Sequence, residues 1–519
     1  MKKKTTTATR LDLIGNGHTP ARDIFNSVMK QWRQRIGYCS LFAAIPAVLS
    51  ASLAEARSES SKTPHASVGE QGAPRQKRNI RFSNQSLLKR QSEFRLPHQN
   101  ASLSMAFAGN DNCPGKAIPA GTYTSGAPFS ESGDTTGAND TVTSLYYYYY
   151  WFFPAHGPDH VYSFTLTNRG ANPEIRVSTS TSTYKPMVYI IDGQYGRCPA
   201  NNGNVASWWR VVSTSQTPGG TITIDGQLMR SLPLGVPLYM FVDSPESEAG
   251  SGTYTVRMQD VTVAQQCSAA NLIDCPEFFV QQHYSDFLNR GAEEGGFNAW
   301  LNVLNHCPTG DLLCQHEQRL TTSAGFFGSP EFHLKGYFVF RFYRVAFGVL
   351  PQYHQLINDM WEVGGATPSE VYARKAAYAT KFVQRNEFGS VYTGLSNSDY
   401  VAALMNKNGL SSITTPDPLQ PDGVVKVTFT QSQLVSNLNS NTLTRAQVLR
   451  AIADSDQVFQ SEYNRAFVAM QYYGYLRRMP EDVGYNMWLN YLNAHPGDYR
   501  EMVRGFLDSV EYRQRFGTP

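Results

Sequence analysis

Two clusters of ionisable side chains recur in this 519-residue chain: Arg290 precedes Glu293-Glu294, and Arg478 precedes Glu481-Asp482. Paired acids are what glycoside hydrolysis uses, but there the two carboxylates face each other across a cleft. Here they are adjacent in sequence, which predicts a solvated or capping role, with Arg and Glu bracing a loop. A ligand role for the repeated arginines is the alternative. His306, Cys307, Cys314 and His316 offer four zinc ligands, with Cys275 near in sequence, but without the CxxC and HxxxH spacings usual in tetrahedral sites. Asp111, Asp134, Asp140, Asp159 and Asp243 are potential oxygen ligands for calcium, though dispersed. The chain contains no GxSxG, no HExxH and no phosphate-cradling glycine loop. No catalytic residue, cofactor or metal ligand is assigned.

Cysteine usage points to a different chemistry. Of the seven, Cys39 lies in an apolar N-terminal segment, leaving Cys113, Cys198, Cys267, Cys275, Cys307 and Cys314. An even number in an exported chain suggests three disulfides. Pairing within sequence neighbours is expected: Cys113 with Cys198, Cys267 with Cys275, and Cys307 with Cys314. The alternative exchanges the last two pairs.

The elements that must position these groups show in a repeat. The stretch Phe279–Asn305 returns without a gap as Phe467–Asn493. Tyr284, Leu288, Arg290, Glu293, Gly296 and Trp300 fall on Tyr472, Leu476, Arg478, Glu481, Gly484 and Trp488. Fixed-spacing self-similarity means two copies of one structural unit. Apolar spacing within each copy reads as helix, loop, helix, closing on a small core around one Trp. Gly291 and Gly295-Gly296 are expected to end the first helix and permit the reversal. A third segment of form FxxSxE(F/Y) follows at Phe326–Phe332 and Phe506–Tyr512, with Ser329 as an N-cap. Between the copies, Gly336–Phe347 carries an aromatic helical stripe. Asn397 or Ser398 is expected to cap the helix that follows, and Ser412–Val427 reads as a loop.

The pattern (Y/F)xxxLxRxxx(D/E)xxGxxxW, with a closing SxEYRxRFG at Ser509–Gly517, resembles the family catalogued as domain of unknown function 4214. The resemblance covers roughly Cys275–Gly517. It implies a helical module of secreted or surface bacterial proteins, similar to the phycobilisome linker domain, and brings no agreed activity.

The rest of the chain divides by composition. Residues 1–56 read as a secretory signal with a long basic lead; the apolar core Leu41–Leu53 is short for a membrane span. Residues 57–108 read as a disordered polar linker. Residues 109–264 alternate short strand-like segments with Gly, Pro, Asn and Asp turns, which indicates a β-sandwich. The phrases Asp159–Phe164, Val188–Gly193, Tyr239–Asp243 and Gly252–Val256 resemble the bacterial pre-peptidase C-terminal domain, a jelly-roll-like accessory module. Residues 265–519 read as an all-α domain with two repeats, about 275–335 and 442–517. The expected fold class is thus a jelly-roll-like β-sandwich followed by an all-α helical repeat domain. The run Tyr146–Phe153, read as one strand, would show aromatics on both faces. Tyr146, Tyr148, Tyr150 and Trp151 then form a possible binding strip for sugars or a partner, the alternative being a strand buried on both sides or an aromatic loop packed on the sandwich.

A net charge of +3 is too small to argue for nucleic acid. The expected role is an exported, non-enzymatic protein that binds cell-envelope polysaccharide or a surface protein, with no membrane span in the mature chain. The alternatives are a secreted hydrolase with the sandwich as accessory, and a structural linker. Sequence does not fix the oligomeric state.

Overall fold

The structure, a computed structural model, describes residues 113–147, 151–155, 157–181, 183–193, 198, 206–207, 209–215, 217–245, 250–365, 367–420 and 423–518. The expected signal (1–56) and linker (57–108) lie outside the described residues. A β-rich part, 116–263, is followed by a helical part.

The β part is a curled, mostly antiparallel sheet of nine strands. They are β1 (Lys116–Ala117), β2 (Gly121–Tyr123), β3 (Phe129–Asp134), β6 (His160–Ser178), β7 (Met187–Asp192), β9 (Trp209–Thr214), β10 (Thr221–Ile224), β11 (Pro237–Asp243) and β12 (Thr253–Val263). A separate small sheet joins β4 (Ser144–Tyr147), β5 (Trp151–Pro154) and β8 (Ala206–Ser207). The long β6 runs unbroken for 19 residues. Its first half pairs with β11, and its second half with β12 and β10. Inward side chains from both halves, Phe164 and Val177 among them, enter one core. All six residues of β7 are buried, so it is covered on both faces. A second cluster around Val142, Leu145, Tyr189 and Phe241 accounts for its outer side.

The aromatic run differs from the one-strand expectation. Residues 144–147 and 151–154 pair antiparallel, Tyr146 opposite Phe152 and Tyr147 opposite Trp151, so the stretch is a hairpin.

After a short helix α1 (Gly226–Ser231), the helical part begins with α2 (Pro276–Phe287), α3 (Glu294–Leu304) and α4 (Leu312–Phe327). Pro276 sits in the first turn of α2, where its missing N–H costs nothing. A one-turn helix capped by Ser329 leads through a π-helical turn, His333–Tyr337, into α5 (Phe338–Phe347). Then come α6 (Tyr353–Glu362), α7 (Pro368–Phe382), α8 (Asn386–Tyr392) and α9 (Asn397–Lys407). The cap of α9 is Ser396, one residue before the expected position: its hydroxyl accepts from the Asp399 N–H. The expected loop 412–427 instead contains a hairpin, β13 (Ser412–Pro416) with β14 (Lys426–Thr430). The Thr-rich alternation outweighs its prolines: Pro416 stands at the end of β13 and Pro418 lies between the two strands. The chain closes with α10 (Gln431–Asn439), α11 (Arg445–Ala453), α12 (Asp456–Gln471), a second π-helical turn (Tyr472–Leu476), α13 (Asp482–Ala494), α14 (Tyr499–Leu507) and α15 (Val510–Gln514).

Sheet and helices are continuous inside. One cluster of buried apolar residues runs from Leu234 and Val236 through Phe279 and Phe297 to Tyr512. At the junction Gly235 adopts φ +74°, and a Cβ there would collide with the Glu277 carbonyl and the Phe297 ring. Beside it Arg169 bridges to Glu294 at 2.6 Å and donates to the carbonyls of Arg230 and Leu232 at 2.7 Å each.

Candidate functional site

The recurring ionisable residues assemble into two matching arrangements. In the first, Arg290 Nε and Nη2 donate to the two oxygens of Glu331 at 2.9 and 2.8 Å, while Nη1 donates to Glu293. In the second, Arg478 Nε and Nη2 donate to the two oxygens of Glu511 at 2.7 and 3.0 Å, and Nη1 to Glu481 at 2.6 Å. Tyr284 donates to Glu293 at 3.2 Å, and Tyr472 to Glu481 at 3.1 Å. Each guanidinium also lies over its tyrosine ring, 4.8 Å from Tyr284 and 5.2 Å from Tyr472. Glu331 and Glu511 were not paired with these arginines by sequence, because they arrive from the third segment, 41 and 33 residues away.

The electrostatics follow from those contacts. Burial pushes the Glu331 carboxyl up, but hydrogen bonds from Arg290 and Lys335 outweigh it and hold it below the usual carboxylate range. Hydrogen bonds from Arg478 likewise outweigh desolvation at Glu481. A forked guanidinium engaged by two carboxylates has few donors left for a ligand.

The glycines act differently from the expectation. The left-handed residue ending each first helix is Asn289 (φ +53°) or Arg477 (φ +52°), not Gly291. Gly295 and Gly296 lie inside α3. At Gly296 a side chain would collide with the Tyr284 hydroxyl and the Glu293 carboxylate, and at Gly484 with Tyr472 and Glu481. Glycine is there to let the tyrosine–glutamate pair close over the helix. Trp300 and Trp488 are half-buried. Trp300 stacks on Phe326 (5.6 Å) and fills the space beside Gly325; Trp488 packs on Phe506 (6.2 Å) beside Gly505. Leu288 is buried and Leu476 half-buried.

Disulfides join Cys113 to Cys198, Cys267 to Cys275 and Cys307 to Cys314. The sulfurs considered as zinc ligands are thus all in disulfides, Cys307 with Cys314 and Cys275 with Cys267, and His316 faces the Asp508 carboxylate at 2.9 Å. Of the aromatic strip, Tyr148 and Tyr150 lie outside the described residues; Tyr146 and Trp151 belong to β4 and β5.

The acids considered for calcium divide. Asp111 lies outside the described residues. Asp134 is exposed and accepts from the Thr136 N–H. Asp159 and Asp243 are fully buried. Asp159 accepts from Thr141 N (2.7 Å), from its hydroxyl and from Val142 N (3.2 Å); Asp243 accepts from Tyr189 (3.0 Å) and Ser244 N (2.6 Å). All these donors are neutral. Burial therefore pushes Asp159 up to about 6 and Asp243 well above the carboxylate range, each reinforced by nearby acid.

Two buried groups escaped sequence reading. His283 Nε2 meets the Ser323 hydroxyl at 2.8 Å, and that hydroxyl meets Tyr475. All three are buried, and burial lowers the imidazole to about 3, so it is neutral packing. Asp286 joins the two hairpins: Arg477 Nε donates to it at 2.9 Å, and Arg515 Nη1 and Nη2 at 3.0 and 2.9 Å. No spacing in the sequence links residues so far apart.

Residues 457–516 match the family model described as "Domain of unknown function (DUF4214)". That segment runs from α12 to the end of α15 and contains Tyr472, Arg478, Glu481, Gly484, Trp488 and Glu511. No curated protein matches the chain. No solved structure matches it either.

Proposed function

We propose that the protein is exported and acts without catalysis, as a braced scaffold that binds cell-envelope polysaccharide or a surface protein. One observation carries the reading. The only ionisable cluster that the sequence repeats is consumed internally: each arginine clamps two glutamates and covers a tyrosine. Such a cluster fixes the angle between helices and leaves no acid or base facing a substrate. In this reading α2–α4 form a second copy of the motif matched in the C-terminal segment, and the sheet is a module like the pre-peptidase C-terminal domain. Three disulfides suit an oxidising compartment. Among the described residues no helix is long and apolar enough to cross a membrane.

Retention of residues 57–519 on isolated envelope polysaccharide and on whole cells tests this. Binding to one of them, with no turnover across peptidase and glycosidase panels, is expected. Absence of retention on both, or turnover, sinks the proposal.

A further inference from the structure

A pocket of about 290 Å³ opens between α12, α13 and the start of α14. Gln460, Asn464, Arg465, Leu489, Asn493 and Tyr499 line most of it. Asn464 ties the walls together: its amide donates to Asn493 Oδ1 at 2.9 Å and accepts from the Tyr499 hydroxyl at 2.8 Å.

The first hairpin shows that this lining is not required by packing. By the shift that carries Trp300 onto Trp488, Gln460, Ser461, Tyr463, Asn464 and Arg465 correspond to Leu272, Ile273, Cys275, Pro276 and Glu277. There Ile273 is buried, Cys275 is in a disulfide, and Arg319 donates to the Ile273 carbonyl at 2.7 Å. One hairpin closes the place with apolar residues and covalent bonding. The other leaves it open and lines it with amides and hydroxyls.

We propose that this pocket is a saccharide subsite that takes one sugar ring of a hydroxyl-rich glycan. The inference rests on the polysaccharide-binding reading above and gives it a location. Side-chain amides place a donor beside an acceptor, the complement of vicinal hydroxyls. Arg465 is turned toward the Ser461 carbonyl (3.3 Å) and Glu462 (3.7 Å), a carboxylate that Arg344 also engages at 2.9 Å. The volume suits one small ring, at the lower end for ligand pockets. Because Asn464 is already held from both sides, its polar atoms need little ordering on binding.

Titration calorimetry of the full chain with the methyl glycosides of glucose, galactose, mannose and N-acetylglucosamine tests it. Saturable binding of at least one is expected. Asn493→Ala should weaken that binding about tenfold, as expected for one or two lost hydrogen bonds. Asn493 is exposed, so the variant should fold, which its melting curve checks. Asn305→Ala, at the matching position of the first hairpin, should bind like the unaltered protein. No saturable binding by any of the four, or equal binding by Asn493→Ala, overturns the subsite. If the unaltered chain and Asn493→Ala are retained equally on envelope polysaccharide, the subsite fails while the wider function stands. If the unaltered chain is not retained at all, it is the wider reading that fails.

Discussion

At the residue scale, buried charge decides the outcome, and its sign depends on the partner. Asp286 has no exposed side-chain surface and lies between two guanidiniums. Burial pushes its carboxyl up, yet Arg515 and Arg477 outweigh this and hold it below the usual range. Asp286→Ala removes the buried carboxylate that both arginines share at the hairpin junction and should cost about 3–5 kcal/mol, read by urea denaturation. Because the folded pKa is depressed, this contribution is present above the unfolded value and declines as acid protonates the folded carboxylate. Asp159 runs the other way. Its folded pKa is raised to about 6, so the folded state binds its proton more tightly than the unfolded chain. Stability should fall as pH rises from the unfolded value through about 6, then level off. Asp159→Asn should flatten that part of the stability curve, measured by denaturation across the range. An unchanged slope would show that another group titrates there.

At the element scale, two adjacent glycines provide a test of opposite signs. Gly295 in α3 has open space where a Cβ would go, whereas Gly296 faces the tyrosine–glutamate pair. Gly295→Ala should stabilise by about 0.5–1 kcal/mol through helix propensity. Gly296→Ala should destabilise by about 1–3 kcal/mol, because the brace must open to admit it. Thermal melts of the two variants would separate them. This contrast also marks how far the sequence could be read. Helix positions and the cap at Ser329 were legible because they rest on spacing of a few residues. The short antiparallel strands of the sheet were legible for the same reason. The third-segment glutamates, the junction at Asp286 and the continuity of β6 were not, since each depends on contacts between distant segments. The aromatic hairpin was missed because a run of like residues carries no period. The polar pocket beside α12 had a signal available: setting Gln460–Arg465 beside Leu272–Glu277 would have exposed the change in character.

At the scale of the whole molecule, the disulfides act unequally. The Cys113–Cys198 bond spans 85 residues of the sheet, while the other two span 8 and 7. Loop-closure entropy assigns about 4–5 kcal/mol to the first and about 2–3 kcal/mol to each short loop. Cys113→Ser with Cys198→Ser should therefore lower the melting temperature more than Cys307→Ser with Cys314→Ser. Calorimetry of the two double variants would decide.

The seam at Gly235, Arg169 and Phe297 carries a practical consequence. A chain cut near Ala264 would bare the oily flank of the sheet on one product and that of α2 and α3 on the other. Neither piece should stay in solution unaided, although the two mixed together should reassociate. Likewise, residues 457–516 expressed alone would lack the wall supplied by Asp286 and Phe287, so the matched family segment is here a graft on a larger body rather than a free-standing bead.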